Sequence, residues 1–527
     1  MLFFVWSLLD RAGIRLIDKM LCMHILQYLN SELSVNNVQL TTVFLNNKKL
    51  NSSVPSIIGC LRFFFIFAFV GLQTVSCTPF SAQDRTEDKT VLPESYSLKD
   101  VTSAPQQRWW ETFHDQQLDD LIEEALAGNQ TILSYWARLG QARAQARKAG
   151  SELYPELTGD VDASYSKIRN DDGSGGRTYE LEQYSLGVFA GYEVDLWGRV
   201  RASVKASDLT ALASREDLNA AAITIAAEVT QRWVEIISQQ RQYSLLEQQL
   251  KANSTYLELI ELRFRKSMAS ALDVMQQRQL VERVKAQMPL VEMQEQILHN
   301  ELTVLIGRLP YDAPAVKDRN MPVFEDLPTA GIPAQLLENR PDVRAAYHRL
   351  ESADQKLVVA KADRLPALRL TGSAAYNSGE LEKIFDNWLV NITAGLTAPL
   401  LDGGRRKAEV EISSYAVDEQ LADYRQTVLT AVREVEDALI REVKIREHIQ
   451  RTQQQLQAAR IALEEAGSRY VNGLNDYLPV LTQLISVQNL ELGLIERHED
   501  LLTARISLYR AIGGSWTDSL SNTAKQE

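Results

Sequence analysis

The chain has 527 residues, of which 45% are hydrophobic and 24% charged, and its formal net charge is −13. That charge argues against nucleic acid as a partner, because phosphate binding requires clustered lysine and arginine. No uninterrupted run reaches the ~18 apolar residues of a membrane-spanning helix, so membrane contact is expected only through strands or a lipid. The cysteines are Cys22, Cys60 and Cys77, which leaves no disulfide or thiolate metal site beyond Cys77.

The front of the chain has the pattern of an export signal. Arg62 precedes an apolar run of about ten residues, the length of a signal-peptide core, and Cys77 follows shortly after that run. The segment resembles a lipoprotein signal, so we predict that residues 1–76 are absent from the mature protein and that Cys77 is lipidated. An ordinary signal peptide with an incidental cysteine is the alternative. Residues 77–108 are then expected to form a lipid-anchored extended strap.

The packed part of the chain begins at Trp109, and helix-forming residues continue to Lys148. Pro155 ends that run, and apolar and polar residues then alternate with the period of a strand. This alternation predicts strands at about residues 155–168, 182–196, 366–377 and 388–401. Their tyrosines and tryptophans lie near the strand ends, as in the aromatic girdle of a membrane sheet. A soluble four-stranded sheet with one buried face is the alternative.

The second half of the chain repeats the first. A strand pattern leads into Gly198-Arg199 and again into Gly404-Arg405, and the two glycines are 206 positions apart. Upstream of the strands the offset is 211. The repetition predicts one module present twice, at residues 109–306 and 335–512, with a joint at 307–334 and a tail at 513–527.

Each module is predicted to contain a very long helical hairpin. Residues 199–265 contain neither proline nor glycine, which predicts a helix of about 100 Å, and a second helix returns to Leu305. The second module repeats this from Arg405, with a turn at residues 472–476 and a return to Tyr509. Four strands cannot close a barrel, and an open sheet edge is not viable in lipid. Several chains must therefore pool their strands, and three chains would supply 12.

Eight sequence motifs carry a resemblance to one family: WWETFHD, YEVDLWGRVR, LIGRLP, ENRPDVRAA, PLLDGGRR, REVEDAL, RYVNGLNDYLPVL and LYRAIGGSW. Over about residues 100–517 the chain resembles TolC-like outer-membrane efflux proteins of the lipoprotein branch (NodT-type, OprM-like). The resemblance implies a mainly α fold with a transmembrane β part: a homotrimer with a 12-stranded β-barrel in the outer membrane of a Gram-negative bacterium, continued by a periplasmic α-helical barrel. It also implies docking to a periplasmic adaptor (membrane fusion) protein and an inner-membrane RND-type pump.

The resemblance further implies a passive conduit for small molecules or drugs, without enzymatic activity or cofactor. Three alternatives are weighed against it. An outer-membrane channel for type I protein secretion would share the fold. A periplasmic coiled-coil adaptor or scaffold would explain the long helices but not the strands. An enzyme is disfavoured, because the six histidines are scattered and no HExxH, P-loop or GxGxxG motif is present.

The resemblance places adaptor contact and gating at the two helix turns farthest from the strands. The candidate tip residues are Arg263, Phe264, Leu272, Arg469, Tyr470, Gly473 and Asp476. Ser267 replaces the glycine of the Arg–aromatic–x–x–Gly pattern in the first module, which questions symmetric docking. A ring of three Asp476 carboxylates would narrow the tip. The alternatives are a solvated aspartate at 476 and salt bridges to a neighbouring helix for the two arginines.

Overall fold

The computed structural model describes residues 80–83, 96, 108–170, 175–317, 321–322, 324, 333 and 336–520. These residues belong to one structural unit, Ser76–Glu527. The predictions for residues 1–76, for lipidation of Cys77, for most of the 77–108 strap and for much of the 307–334 joint lie outside the described residues.

The described helices and strands follow one another in the order that a duplicated module requires. The first module contains α1 (Gln116–Gly128), α2 (Gln130–Ser151), β1 (Glu156–Asn170), β2 (Arg177–Val194), α3 (Arg199–Arg265) and α4 (Ala271–Leu305). The second contains α5 (Leu336–Asn339), α6 (Pro341–Ala362), β3 (Ala367–Ser378), β4 (Trp388–Thr397), α7 (Arg405–Val471) and α8 (Leu478–Ile512). Short 3₁₀ turns lie at Trp109–Phe113, Pro310–Asp312, Leu381–Lys383 and Ser515–Ser519.

The run of helix formers up to Lys148 is two helices rather than one, because Asn129 interrupts it. The Asn129 side-chain oxygen accepts hydrogen bonds from the backbone N of Thr131 and Ile132, at 2.8 and 3.2 Å. This caps a new helix start, a position that asparagine favours. The Asn129 amide also donates to the carbonyl of Leu305 at 2.8 Å. The interruption therefore fastens α2 to the end of α4.

The four strands form one antiparallel sheet in the order β1-β2-β3-β4. The strand predicted from about 182 begins earlier, at Arg177, because the pairing with β1 continues to Asn170 opposite Arg177. The strand predicted to reach 401 ends at Thr397. Pro399 follows and has no N–H to continue the ladder.

The long helices account for most of the described chain. Helices α3 and α7 each have 67 residues, about 100 Å at ~1.5 Å per residue. Each packs against the helix that follows it, and α8 also packs on α3. Helix α8 runs past the predicted end at Tyr509 to Ile512, where Gly513 follows with a φ of +80°.

Of the described helices, α8 is long and apolar enough to cross a membrane by length and composition. Core helices of soluble proteins also have this length and composition. Its Leu484, Leu502 and Ile506 lie in apolar clusters with residues of α3. Its apolar character is therefore accounted for in part by packing among the helices.

Each helical hairpin ends at a glycine that lies close to a backbone carbonyl, and the two glycines occupy equivalent positions in the two modules. Gly307 has a φ of +86°, and a Cβ there would lie 2.3 Å from the carbonyl oxygen of Gly128. Gly513 repeats this with a Cβ position 2.6 Å from the carbonyl oxygen of Asn339. The pairs are related by the offsets seen in the sequence, 206 for the glycines and 211 for their partners.

Gly307→Ala is expected to destabilise the protein by at least about 2 kcal/mol. The left-handed backbone alone costs a non-glycine residue ~1–2 kcal/mol, and the contact with the Gly128 carbonyl adds to it. The denaturation midpoint of the purified protein measures the effect. Gly140→Ala is the matched control, because nothing lies within 4 Å of its Cβ position in α2, and alanine there should be neutral or stabilising. Equal midpoints for both variants would contradict the close contact.

Candidate membrane sheet and helical tip

The register of the sheet places most apolar residues of the four strands on one face, whereas Phe189 and Leu389 lie on the other. One row across the sheet contains Val161, Leu186, Tyr376 and Trp388, in strand order. The next equivalent row contains Gly159, Val188, Ala374 and Val390, and the following one Leu157, Ala190, Gly372 and Ile392. Directly paired residues share a face, so these rows form one continuous apolar surface. We call it the apolar face.

Within the described residues no element covers the apolar face. Every residue of β1 is exposed, and so is every residue of β4 except Gly395. Ile392, near the middle of β4, is 87% exposed. The alternative of a soluble sheet with one buried face therefore has no counterpart in the described part of the chain. Exposed apolar patches of this kind mark contact with a membrane or with another protein.

The opposite face is more polar and forms a groove. Thr158, Thr371, Ser373, Asn391 and Thr393 all line it. An apolar outer face and a polar inner face are the arrangement of strands in a membrane barrel. The single chain thus presents one face suited to lipid and one suited to water.

The glycine at each strand-to-helix junction has the left-handed backbone, with φ of +78° at Gly198 and +85° at Gly404. The carboxylate of Asp195 accepts hydrogen bonds from the backbone N of Val200 and Arg201, at 3.2 and 3.0 Å. The carboxylate of Asp402 likewise accepts from the backbone N of Arg406 at 3.3 Å. A carboxylate at a helix N-terminus is favourable because it satisfies free N–H groups and the helix dipole.

The predicted junction arginines are not equivalent in their contacts. Arg199 forms an ion pair with Glu193 at 2.9 Å. Arg405 is exposed, and Arg406 instead pairs with Asp363 at 3.0 Å and with Asp402 at 3.3 Å. The two junctions therefore share their backbone course but differ in their ion pairs.

The two turns of the helical tip have the same backbone course despite the serine in the first. Gly473 has a φ of +72°, and Ser267, at the equivalent position, has a φ of +58°. The backbone N of Met268 donates to the carbonyl of Arg263 at 2.8 Å, and that of Leu474 to the carbonyl of Arg469 at 2.8 Å. The serine is therefore accommodated in the conformation that normally favours glycine. The departure from the pattern at Ser267 does not change the turn.

Of the predicted tip residues, Arg263 and Tyr470 are in direct contact. The Arg263 guanidinium carbon lies 4.6 Å from the centre of the Tyr470 ring, and its Nη2 donates to the Tyr470 carbonyl at 3.4 Å. This is a cation–π contact between the two modules. Burial, opposed by Arg263, raises the pKa of the Tyr470 hydroxyl.

The other predicted tip side chains point to the surface of the single chain. Phe264, Leu272, Arg469 and Asp476 are all exposed. Arg469 lies 3.9 Å from Glu465 on its own helix, so the alternative of a salt bridge to a neighbouring helix is not formed among the described residues. Asp476 precedes α8. Its place in a ring of carboxylates stays a prediction.

A buried chain of polar side chains extends from the tip along the interface of the two modules. The Tyr477 hydroxyl donates to Gln277 at 2.7 Å, and the Gln277 amide donates to the Asn253 carbonyl at 2.8 Å. Asn253 and Gln488 exchange side-chain hydrogen bonds at 2.8 and 3.3 Å. Gln249 donates to the Gln488 carbonyl at 3.2 Å. Buried polar groups with partners of this kind specify register between helices.

These five residues are not predicted from the sequence. Gln249 and Asn253 are four positions apart and therefore share a face of α3. The surrounding helices contain many glutamines, however, and nothing local separates a buried glutamine from a solvated one. Burial raises the pKa of the Tyr477 hydroxyl, and Tyr256 raises it further by a smaller amount. Tyr477 therefore remains a hydrogen-bond donor at neutral pH. In the described ranges no group of three His, Cys, Asp or Glu side chains is placed to hold a metal ion.

Comparison with known proteins agrees with this geometry. Residues 121–308 and 332–514 match the outer membrane efflux protein family. The chain is 31% identical over 435 residues to the pyoverdine export outer membrane protein OpmQ of Pseudomonas putida, covering 80% of this chain and 91% of OpmQ. It is 30% identical over 420 residues to the outer membrane protein OprJ of Pseudomonas aeruginosa, covering 78% and 87%.

Solved structures show the same fold. The outer-membrane channel OprN has a TM-score of 0.78 at 25% identity, with 84% of this chain and 100% of OprN covered. CusC, solved as a transmembrane channel, has a TM-score of 0.76 at 25% identity, with 82% and 99% covered. The chain belongs to the outer membrane efflux protein family. It is an outer-membrane efflux channel protein of a Gram-negative bacterium, which confirms the predicted TolC-like family, the mainly α fold with a β part, the efflux function and the outer-membrane location.

The family decides against two of the three alternatives left open by the sequence. Its members are channel proteins rather than enzymes, and other relatives of Pseudomonas putida are named as efflux pump outer membrane proteins. A periplasmic coiled-coil adaptor or scaffold is therefore wrong as an interpretation of the long helices.

Proposed function

We propose that three copies of this chain form one passive conduit: a 12-stranded β-barrel in the outer membrane, continued by a periplasmic α-helical barrel. The observation that carries the proposal is the four-stranded sheet. Both of its edge strands, β1 and β4, lack an outer partner among the described residues, and its apolar face is uncovered. Unpaired strand edges are not viable in lipid, so the sheet must be completed by other copies.

The conduit receives its cargo from a periplasmic adaptor protein and an inner-membrane RND-type pump, and performs no catalytic step itself. Small molecules are the favoured cargo rather than secreted proteins. Relatives at 30–31% identity are named for pyoverdine export and for antibiotic and toluene efflux.

Cys77 is the lipid attachment site and anchors the 77–108 strap. Mass spectrometry of the mature N-terminus should show an acylated Cys77, and an unmodified chain beginning elsewhere would remove the anchor.

The conduit is tested with the purified protein in planar lipid bilayers. We expect a heat-sensitive oligomer of three chains that conducts ions in discrete steps. In cells, the protein should raise drug resistance when expressed with an RND-type pump and its adaptor, relative to the pump and adaptor alone. An oligomer that inserts but does not conduct would overturn the proposal.

Asp476 is proposed to narrow the tip as part of a ring of three carboxylates. Asp476→Ala is therefore expected to raise the single-channel conductance in planar bilayers, because it removes three charges and their bound water from the narrowest part. Asp476→Asn, which keeps the size and removes the charge, separates the electrostatic from the steric contribution. An unchanged single-channel current in both variants would show that Asp476 is a solvated turn residue.

A further inference from the structure

The Arg263–Tyr470 contact joins the first module to the second within one chain. Arg263 belongs to the first module and Tyr470 to the second. The chain is a duplication, and positions in the long helical hairpin of one module have equivalents 206 positions away in the other. The equivalent of Arg263 is Arg469, and the equivalent of Tyr470 is Phe264. The duplication therefore places a second arginine and a second aromatic ring, Arg469 and Phe264, where they could form the same cation–π contact.

The second version is not formed inside the chain. The side chain of Arg469 is 51% exposed, and Phe264 is 47% exposed. Tyr470, the equivalent of Phe264, is buried. The same residue types at equivalent positions are thus covered at one module interface and uncovered at the other.

A second contact shows the same relation about four helical turns from the tip. Gln249 donates to the main-chain carbonyl of Gln488 across the module interface. The equivalent positions are Gln455 and Glu282, and both are exposed in the single chain. The glutamine donor is again present at the position that the duplication predicts. The residues equivalent to two independent contacts are therefore exposed on the surface of the single chain.

We propose that a second copy of this chain covers these residues: the Arg469 guanidinium of one copy stacks on the Phe264 ring of the next. Gln455 donates to the main-chain carbonyl of Glu282 of that copy. The proposal rests on the proposed trimer, in which modules alternate around a ring. The ring then has six interfaces between modules. Three contain the Arg263–Tyr470 contact within a chain, and three contain the Arg469–Phe264 contact between neighbouring chains. A head-to-tail interface of this kind closes a ring of three when the rotation between successive copies is a third of a turn.

The pairing is tested by cross-linking in outer-membrane vesicles with a short thiol-specific cross-linker. No cysteine follows Cys77, and acylation as proposed above blocks the Cys77 thiol, so the introduced cysteines are the reactive groups. Phe264→Cys/Arg469→Cys is expected to yield covalent dimers and trimers on a denaturing gel. Arg263→Cys/Tyr470→Cys is the matched control at the equivalent interface, and it should cross-link within one chain and migrate as a monomer. Cross-linked dimers from Phe264→Cys alone or from Arg469→Cys alone would overturn the pairing.

The failure of this pairing is distinguishable from the failure of the channel. A trimer that conducts, with both thiols reactive, but that gives no dimers from Phe264→Cys/Arg469→Cys overturns the pairing alone. The absence of any oligomer overturns the proposed function. A functional readout gives a second test: Arg469→Ala and Phe264→Ala should raise single-channel conductance by a similar factor, and the double variant should raise it no further. Additive effects of the two substitutions would show that the residues act separately.

Discussion

Ile392→Arg is expected to abolish the heat-sensitive oligomer in the outer membrane. Ile392 lies on the apolar face, two positions after Val390 along β4, and it pairs across the strands with Gly372. An arginine on the lipid-facing side of a barrel strand costs ~2–4 kcal/mol at the bilayer midplane, and each copy in an oligomer bears that cost. Fractionation of the outer membrane, followed by unheated gel electrophoresis, measures assembly.

Thr393→Arg is the matched control for that substitution. Thr393 is the next residue of β4, but its side chain lies on the opposite face, which lines the polar groove. An arginine there faces water, so assembly should persist while conductance changes. If both variants assembled equally well, the apolar face would not contact lipid. If Thr393→Arg alone failed, the assignment of the two faces would be inverted.

Glu442→Leu is expected to destabilise the protein by about 3–5 kcal/mol, because it leaves a buried arginine without its carboxylate. Arg505 is 3% exposed, and its Nε lies 3.0 Å from both Glu442 carboxylate oxygens. Arg446 donates to the same carboxylate at 3.2 Å. Burial opposes the charge of Arg505, but Glu442 holds its pKa above the ordinary value. The denaturant midpoint of the solubilised protein measures the loss.

The double variant Glu442→Leu/Arg505→Leu should recover much of that stability. Replacing a buried ion pair by apolar residues of similar volume is often neutral or stabilising, whereas breaking one by removing a single partner is not. Arg446 is partly exposed and bonds the carbonyl of Phe324, so it retains a partner in both variants. A double variant as unstable as Glu442→Leu would show that the pair itself, rather than the unpaired charge, provides the stability.

The pair also shows which contacts are hidden in the sequence. Glu442 and Arg505 lie on different helices, α7 and α8, and are 63 positions apart. Both helices carry many charged residues, so their types and spacing do not distinguish the buried pair from solvated ones. The same is true of the hydrogen bond from the Asn129 amide to the Leu305 carbonyl, which joins the start of α2 to the end of α4.

The local elements and the duplication were determined by the sequence itself. The absence of proline and glycine after Gly198 predicts a helix from residue 199 to about 265, and α3 occupies Arg199–Arg265. The alternation of apolar and polar residues places the strands within a few residues of β1 to β4. The 206-residue offset predicts equivalent turns, and the backbone of Ser267 follows that of Gly473. These features depend on the periods of helix and strand and on covalent order, which are written along the chain.

Only the tertiary structure decided which residues meet. Arg263 and Arg469 are equivalent in sequence, yet the first stacks on Tyr470 and the second is exposed. The same structure selects Gln277, Asn253 and Gln488 from many similar polar residues for a buried chain of hydrogen bonds. The physical reason is that such contacts join residues that are 24 to 235 positions apart in the sequence. Their formation depends on how long helices pack side by side, and local spacing does not contain that information.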